Sequence, residues 1–270
     1  MKKNFSTIAL ILVFLAGLVI LLYPIVANWW NSKVQTRVID NYESVVKNIS
    51  QEDYTQYFQD ADNFNHKILG MGNPIHHAED FTEYDSLLDV SGTGVMGYLT
   101  IDKLKIQIPI YHGTSAEVLN AGAGHLKGTS LPVGGRGTHC ALSAHRGLPS
   151  AKLFSDLDSM EVGDLFTISV LNRLLTYQVD QIKIVLPKEL DDLVIDENQD
   201  YCTLVTCTPY GINTHRLLVR GTRVDNVVEK PQIYVPNEAI KVDPLIVTPV
   251  VAIPLLILML IAVSIKYRKR

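Results

Sequence analysis

The sequence predicts a mainly β body, a closed barrel of short strands, preceded by a helical segment and flanked by two transmembrane helices. Three observations support this prediction. Short β-rich runs punctuated by Gly and Pro occupy much of residues 97–222, as is typical of a barrel. Apolar residues recur at helical spacing over residues 33–69. Two uncharged apolar runs, residues 5–27 and 245–265, are each long enough to cross a bilayer.

The first apolar run is interpreted as an uncleaved membrane anchor. A cleaved signal peptide remains an alternative, because the run starts after Lys2-Lys3 and Val26-Ala27-Asn28 approaches a cleavage site. Basic residues precede the first run and follow the second, which places both termini in the cytoplasm and the body outside. These residues are Lys2, Lys3, Lys266, Arg268, Lys269 and Arg270.

The net charge argues against a nucleic-acid partner. Six of the 24 basic residues lie in the two termini, which leaves 18 in the body against 28 acidic residues. A body with a net charge of −10 repels a polyanion.

Between the membrane and the barrel, the helical periodicity predicts one or two amphipathic helices that end at Gly70-Met71-Gly72-Asn73-Pro74. We interpret them as a packing or spacer element. Strands are predicted at residues 97–101, 105–110, 138–144, 165–170, 174–184, 201–207 and 215–222.

The candidate chemistry centres on residues 203–216. Thr203 to Thr206 read as a half-buried strand that runs into Cys207, and a turn rich in Pro, Gly and Asn follows. A second strand then begins near Arg216. Such a hairpin sets a thiol beside a fixed positive charge, two of the three parts that thiol acyl transfer needs. The third part is a base, and His145 ends another predicted strand before a Gly-containing loop.

These residues resemble the sortase family of Gram-positive surface transpeptidases. The run Thr203-Leu204-Val205-Thr206-Cys207 is similar to the family's nucleophile motif, and Arg216 matches its third catalytic position. The resemblance extends from about Gly97 to Arg223. Segments similar to the class C, pilus-polymerising branch are residues 97–101, 109–114, 124–132 and 145–154.

The resemblance implies an eight-stranded sortase-type barrel with its active site at one rim. It implies that Cys207 attacks a peptide carbonyl, His145 acts as acid and base, and Arg216 stabilises the oxyanion. The substrate would be a surface protein with a Leu-Pro-x-Thr-Gly-like signal, cleaved between Thr and Gly and joined to a pilin lysine. The resulting domain boundaries are 1–27 anchor, 28–90 helical segment and possible lid, 91–226 catalytic barrel, 227–244 linker, 245–265 second transmembrane helix and 266–270 basic tail.

Competing residues are less suited to these roles. Arg220 shares a strand face with Arg216, but it lies farther from the turn. His139 and His215 fall within predicted strands and are interpreted as structural. The sequence contains neither a Cys-x-x-Cys nor a His-x-x-x-His motif, and neither a metal nor another cofactor is expected.

Other functions also remain as alternatives. A sortase that attaches proteins to peptidoglycan is the rival within enzymes. A wall-anchored structural protein would need a sorting motif before the second apolar run, and Tyr234-Val235-Pro236-Asn237-Glu238 is not one. A papain-like protease would need a helix after the cysteine.

The lid is where the sequence departs from the class C pattern. The resemblance implies an Asp-Pro-aromatic tip. Asn73-Pro74-Ile75 has only the proline, and Glu79-Asp80-Phe81 has only the charge and the ring. Either segment could form the tip, and closure is expected to be weak.

The two remaining cysteines are predicted to be neighbours. The family fold implies parallel strands ending at His145 and Cys207, and Cys140 and Cys202 each lie five residues earlier. Both side chains therefore face away from the active site. A disulfide and two buried thiols both remain open.

Overall fold

The computed structural model describes residues 2–71 and 73–226. The predicted linker 227–244, the second transmembrane helix 245–265 and the basic tail 266–270 lie outside the described residues. Within them, two long helices lead into a closed β-barrel.

Helix α1 runs without interruption over Lys2–Val46 and therefore crosses the predicted boundary between anchor and body. Among the described residues it is the helix long and apolar enough to cross a membrane, with a mean hydropathy of 2.5 in its most apolar window. Its carboxyl-terminal half packs on the barrel. The buried hydroxyl of Tyr42 donates to Met96 O at 2.9 Å and accepts from Leu171 N at 2.8 Å. The helix thus joins the apolar segment directly to the barrel.

Helix α2 covers Gln51–Leu69, as the helical periodicity predicted. Ser50 caps its first turn by accepting from Asp53 N at 3.1 Å, and Gly70 ends it. Phe58, Phe64 and Ile68 on its apolar face are buried in the core shared with the barrel.

Eight strands form the barrel and confirm the predicted fold. They are β1 Val95–Ile101, β2 Ile106–His112, β3 Ala123–His125, β4 Thr138–Ser143, β5 Leu165–Val170, β6 Arg173–Val185, β7 Asp200–Thr208 and β8 His215–Val224, with a short helix α3, Ala116–Ala121, before β3. Seven correspond to the predicted runs, and the three-residue β3 is additional.

The strand order around the barrel is β1-β2-β3-β4-β7-β8-β6-β5. Strands β2 and β3 pair in parallel, as do β4 and β7, and the other neighbours are antiparallel. The carboxyl ends of β4 and β7 therefore lie together at one rim. That rim carries the predicted site.

The segment before the barrel packs against α2 and the barrel wall. Two short 3-10 turns, joined by a kink at His77, cover Pro74–Asp80. The buried ring of Phe81 packs edge-on against Phe64, with 5.3 Å between the ring centroids. A Cβ on Gly128 would lie only 2.7 Å from Ile75 Cα, so the segment sits closely on that turn. These contacts tie both candidate lid tips to α2 and the Gly128 turn.

Candidate active site

Cys207 lies at the end of β7 and pairs directly with Arg216 of β8 in the antiparallel ladder. Directly opposed residues share a face, with Cβ atoms about 4.5–5.5 Å apart. Both side chains are half-buried. The predicted hairpin is present, and its turn is closed by bonds from Ile212 N and Asn213 N to Pro209 O.

His145 follows the end of β4, the parallel neighbour of β7. The register pairs Ser143 with Val205. Ala144 then donates its N–H to Val205 O at 3.2 Å and accepts from the Thr206 hydroxyl at 2.8 Å. These bonds continue the register, so that His145 lies beside Cys207. Cys207 and Arg216 therefore lie on adjacent strands, with His145 just beyond the end of a third, and the three residues are at one rim.

Arg216 and Arg220 have different surroundings. Arg216 Nη1 donates to His215 O at 3.0 Å and Asn213 O at 3.3 Å. Within residues 2–71 and 73–226, no carboxylate lies within ion-pair distance of Arg216. Arg220 instead forms two bonds with Asp180, at 3.0 and 2.8 Å, and stacks on Tyr201. The free charge at the rim is that of Arg216.

Two histidines within strands, His139 and His125, have structural contacts. His139 is buried, with Nδ1 2.9 Å from Val194 O and Nε2 2.7 Å from the Thr203 hydroxyl. Because a carbonyl can only accept, Nδ1 carries the proton, and in the neutral ring Nε2 accepts from the Thr203 hydroxyl. Burial lowers the pKa of His139 below its ordinary value of 6.5. His125 is likewise buried and bonds Tyr84 and Ser130 O.

Arg146 was not singled out from the sequence as a site residue. Its guanidinium forms an ion pair with Asp158, approaches the Thr208 hydroxyl at 3.5 Å, and lies 5.8 Å from the ring centroid of Tyr210. The sequence signal that could have identified Arg146 is its position directly after His145. Arg146 bridges the loop after His145 and the loop after Cys207.

The predicted neighbours Cys140 and Cys202 are register partners on β4 and β7, and both thiols are free and buried. Adjacent strands lie about 4.8 Å apart, within bridging reach. Strand alternation puts both on the face opposite Cys207. Burial raises the pKa of the Cys202 thiol well above its ordinary value. The proximity is confirmed, and the structure holds the pair as thiols.

The described residues contain no cluster of three or more His, Cys, Asp or Glu side chains that could hold a metal ion. The rim brings together the thiol of Cys207, the imidazole of His145 and the guanidinium of Arg216. These are the groups that nucleophilic acyl transfer uses.

Comparison with known proteins agrees with this chemistry. The family model described as "Sortase domain" matches residues 99–224. A crystal structure of sortase C1 from Streptococcus agalactiae is 51% identical, with a TM-score of 0.68, and the match covers 70% of this chain and 99% of that one. A pilus-related sortase C of Group B Streptococcus is 40% identical, with a TM-score of 0.62, covering 68% and 96%.

A third similar structure is sortase C of Clostridium perfringens with the C-terminal cell wall sorting motif. It is 42% identical, with a TM-score of 0.61, and the match covers 71% of this chain and all of that one. The chain thus spans nearly the whole length of each of these three structures.

Proposed function

Because the chain belongs to the sortase family of cysteine transpeptidases and its structural neighbours are class C members, we propose that it polymerises pilins. In this proposal it cleaves a Leu-Pro-x-Thr-Gly-like signal between Thr and Gly and joins the new acyl group to a pilin lysine. The observation that carries the proposal is the direct pairing of Cys207 with Arg216 beside His145.

The proposed reaction begins with the thiolate of Cys207, which attacks the carbonyl carbon of the threonine. Negative charge develops on the carbonyl oxygen, where the Arg216 guanidinium stabilises it. His145 donates a proton to the departing glycine amine, and the C–N bond breaks to leave a thioacyl enzyme. His145 then accepts a proton from the incoming amine as it attacks the thioester. Cys207 departs as thiolate, so the cycle closes without a cofactor.

Two observations support a peptide signal and a pilin partner. The 42% identical sortase C of Clostridium perfringens was solved with the C-terminal cell wall sorting motif. The 40% identical sortase C of Group B Streptococcus is pilus-related. Attachment of surface proteins to peptidoglycan amines is the alternative within the same chemistry.

The proposal includes membrane anchoring through residues 1–27, with the catalytic barrel of residues 91–226 outside the cell. The apolar part of α1 supports the anchor, and the basic residues at both ends of the sequence support cytoplasmic termini. Residues 28–90 form the helical segment with the possible lid, and residues 227–244, 245–265 and 266–270 the linker, second transmembrane helix and tail.

The test is a competition between acceptors. Full-length protein in detergent is incubated with a pilin that carries a Leu-Pro-x-Thr-Gly signal, together with an oligoglycine peptide as a wall-type amine. We expect covalent pilin ladders that resist boiling in detergent and contain a Thr–Lys isopeptide bond. Transfer to oligoglycine alone would instead support wall attachment. The absence of both products, with an active pilin sortase as control, would contradict the function.

A further inference from the structure

The loop that follows His145, residues 146–155, is held by two asparagines of helix α1. Asn28 Oδ1 accepts from Lys152 N at 2.8 Å, and Asn31 Nδ2 donates to Ser150 O at 2.7 Å. A backbone N–H requires an acceptor and a carbonyl requires a donor, so these partners fix both amide orientations. Residues three apart share a helix face. One face of α1 therefore holds the tip of this loop.

The same loop closes back on His145. Phe154 N donates to His145 O at 3.1 Å, and Gly147 N donates to the Ser155 hydroxyl at 3.1 Å. The ring of Phe154 is fully buried and fixes the returning arm. The tip of the loop, at Pro149 and Ser150, is more exposed than Phe154. The side chains of Asn28 and Asn31 on α1 contact the loop there, at Lys152 N and Ser150 O.

These contacts lie at the membrane end of the body. Asn31 is four residues beyond Ala27, the end of the apolar run, which is about 6 Å along the helix axis. Trp29 and Trp30 lie between the two asparagines and are 52% and 58% exposed. Tryptophan is enriched at membrane interfaces. In the proposed membrane orientation, the contacts between α1 and the loop lie near the depth of the lipid headgroups.

We propose that Asn28 and Asn31 are positioning residues for the active site. They hold loop 146–155, and through it the backbone of His145, so that the imidazole stays aligned with Cys207. The membrane helix and the catalytic rim thereby form one unit. This inference rests on the proposed role of His145 and on the anchoring of α1.

The test uses the same substitution at both positions in full-length protein in lipid nanodiscs. Asn28→Asp keeps an acceptor facing Lys152 N. Asn31→Asp replaces a donor by an acceptor that faces the Ser150 carbonyl. Both variants add one negative charge to the same turn of helix, so general effects of charge are matched. Gln35→Ala removes a contact of α1 with Ala121 O instead and serves as a second control.

Two measurements are made, one of the docking of the loop on α1 and one of catalysis. Amide hydrogen exchange of residues 147–153 is expected to rise about 3- to 10-fold in Asn31→Asp, as for the loss of one hydrogen bond, and to stay within twofold in the two controls. The kcat for cleavage of a Leu-Pro-x-Thr-Gly peptide is expected to fall about 3- to 10-fold in Asn31→Asp, with KM within twofold. Asn31→Ser, which restores a donor, is expected to recover part of the loss.

Equal exchange in Asn31→Asp and wild type would overturn the inference, and so would equal losses in the two aspartate variants. Faster exchange with unchanged kcat would also overturn it, because the loop would then not position His145. If the wild-type protein itself forms no thioacyl enzyme, the proposed function fails instead, and the exchange contrast still reports on the docking of the loop.

Discussion

The two arginines of β8 provide the sharpest comparison, because their surroundings predict opposite effects of the same substitution. Arg216 faces Cys207, and Nη1 is bonded only to two backbone carbonyls among the described residues. Its other N–H groups have no hydrogen-bond partner in that part of the chain and are available to a developing oxyanion. Arg220 instead donates two hydrogen bonds to the carboxylate of Asp180. Arg216→Ala should therefore affect activity, and Arg220→Ala stability.

The expected magnitudes follow from these contacts. Loss of one oxyanion donor costs about 10²–10³ in kcat, so Arg216→Ala should fall in that range, with a change in unfolding free energy below about 1 kcal/mol. Arg220→Ala leaves the partly buried carboxylate of Asp180 without its partner, which costs about 1–3 kcal/mol. At about 2–4 °C per kcal/mol, Tm should fall by about 2–12 °C. Its kcat should stay within about fivefold of wild type.

The assay is cleavage of a quenched Leu-Pro-x-Thr-Gly peptide by full-length protein in detergent, with thermal unfolding of the same samples. Cys207→Ala gives the background. A larger loss of kcat in Arg220→Ala than in Arg216→Ala would refute the assignment of the guanidinium that serves Cys207.

Two further predictions concern pH and the lid. The folded pKa of His139 is lowered, so below pH 6.5 the unfolded chain binds a proton that the folded chain does not, and stability falls as pH falls towards the folded pKa. The unfolding free energy is measured with denaturant from pH 7.5 to 5. It should fall with decreasing pH more steeply in the wild type than in His139→Gln, by up to about 1.4 kcal/mol per pH unit. Parallel plots of unfolding free energy against pH for the two proteins would contradict the neutral buried ring. For the lid, Gly128→Ala should displace the Pro74–Asp80 segment from the Gly128 turn, because the added Cβ would lie 2.7 Å from Ile75 Cα. Labelling of Cys207 by a thiol reagent should nevertheless stay within about threefold of Gly135→Ala, a control at another positive-φ glycine with no atom near its Cβ. A many-fold rise would identify this segment as a working lid.

Much of the barrel was predictable because its strands carry local signals. The run before Cys207 is β-branched and bounded by turn residues, and it forms β7 as predicted. Strand β3 was missed because it has only three residues. Its central Gly124 has no side chain to contribute to a pattern, and a Cβ there would meet Gly113 O at 2.2 Å.

The proximity of Cys140 and Cys202 was predictable from equal counting along two parallel strands, once the family fold implied their pairing. Polar contacts between distant parts of the chain were not predictable. Asn31 lies 119 positions from Ser150, and Asp180 lies 40 from Arg220. No periodic pattern in the sequence identifies the residue that such a polar side chain contacts. The continuity of α1 was not predictable, because its apolar part and its amphipathic part carry different patterns and no local signal joins them.

The most direct test of Cys207 as the nucleophile is intact-protein mass spectrometry after mixing the protein with a Leu-Pro-x-Thr-Gly peptide without an added amine. We expect an adduct with the mass of the peptide cleaved after Thr. Hydroxylamine should release it, and peptide mapping should locate it on Cys207. His145→Ala and Arg216→Ala should accumulate it at least about 10²-fold more slowly. An adduct on Cys140 or Cys202, or equal accumulation in Cys207→Ala, would contradict the role of Cys207 as the nucleophile.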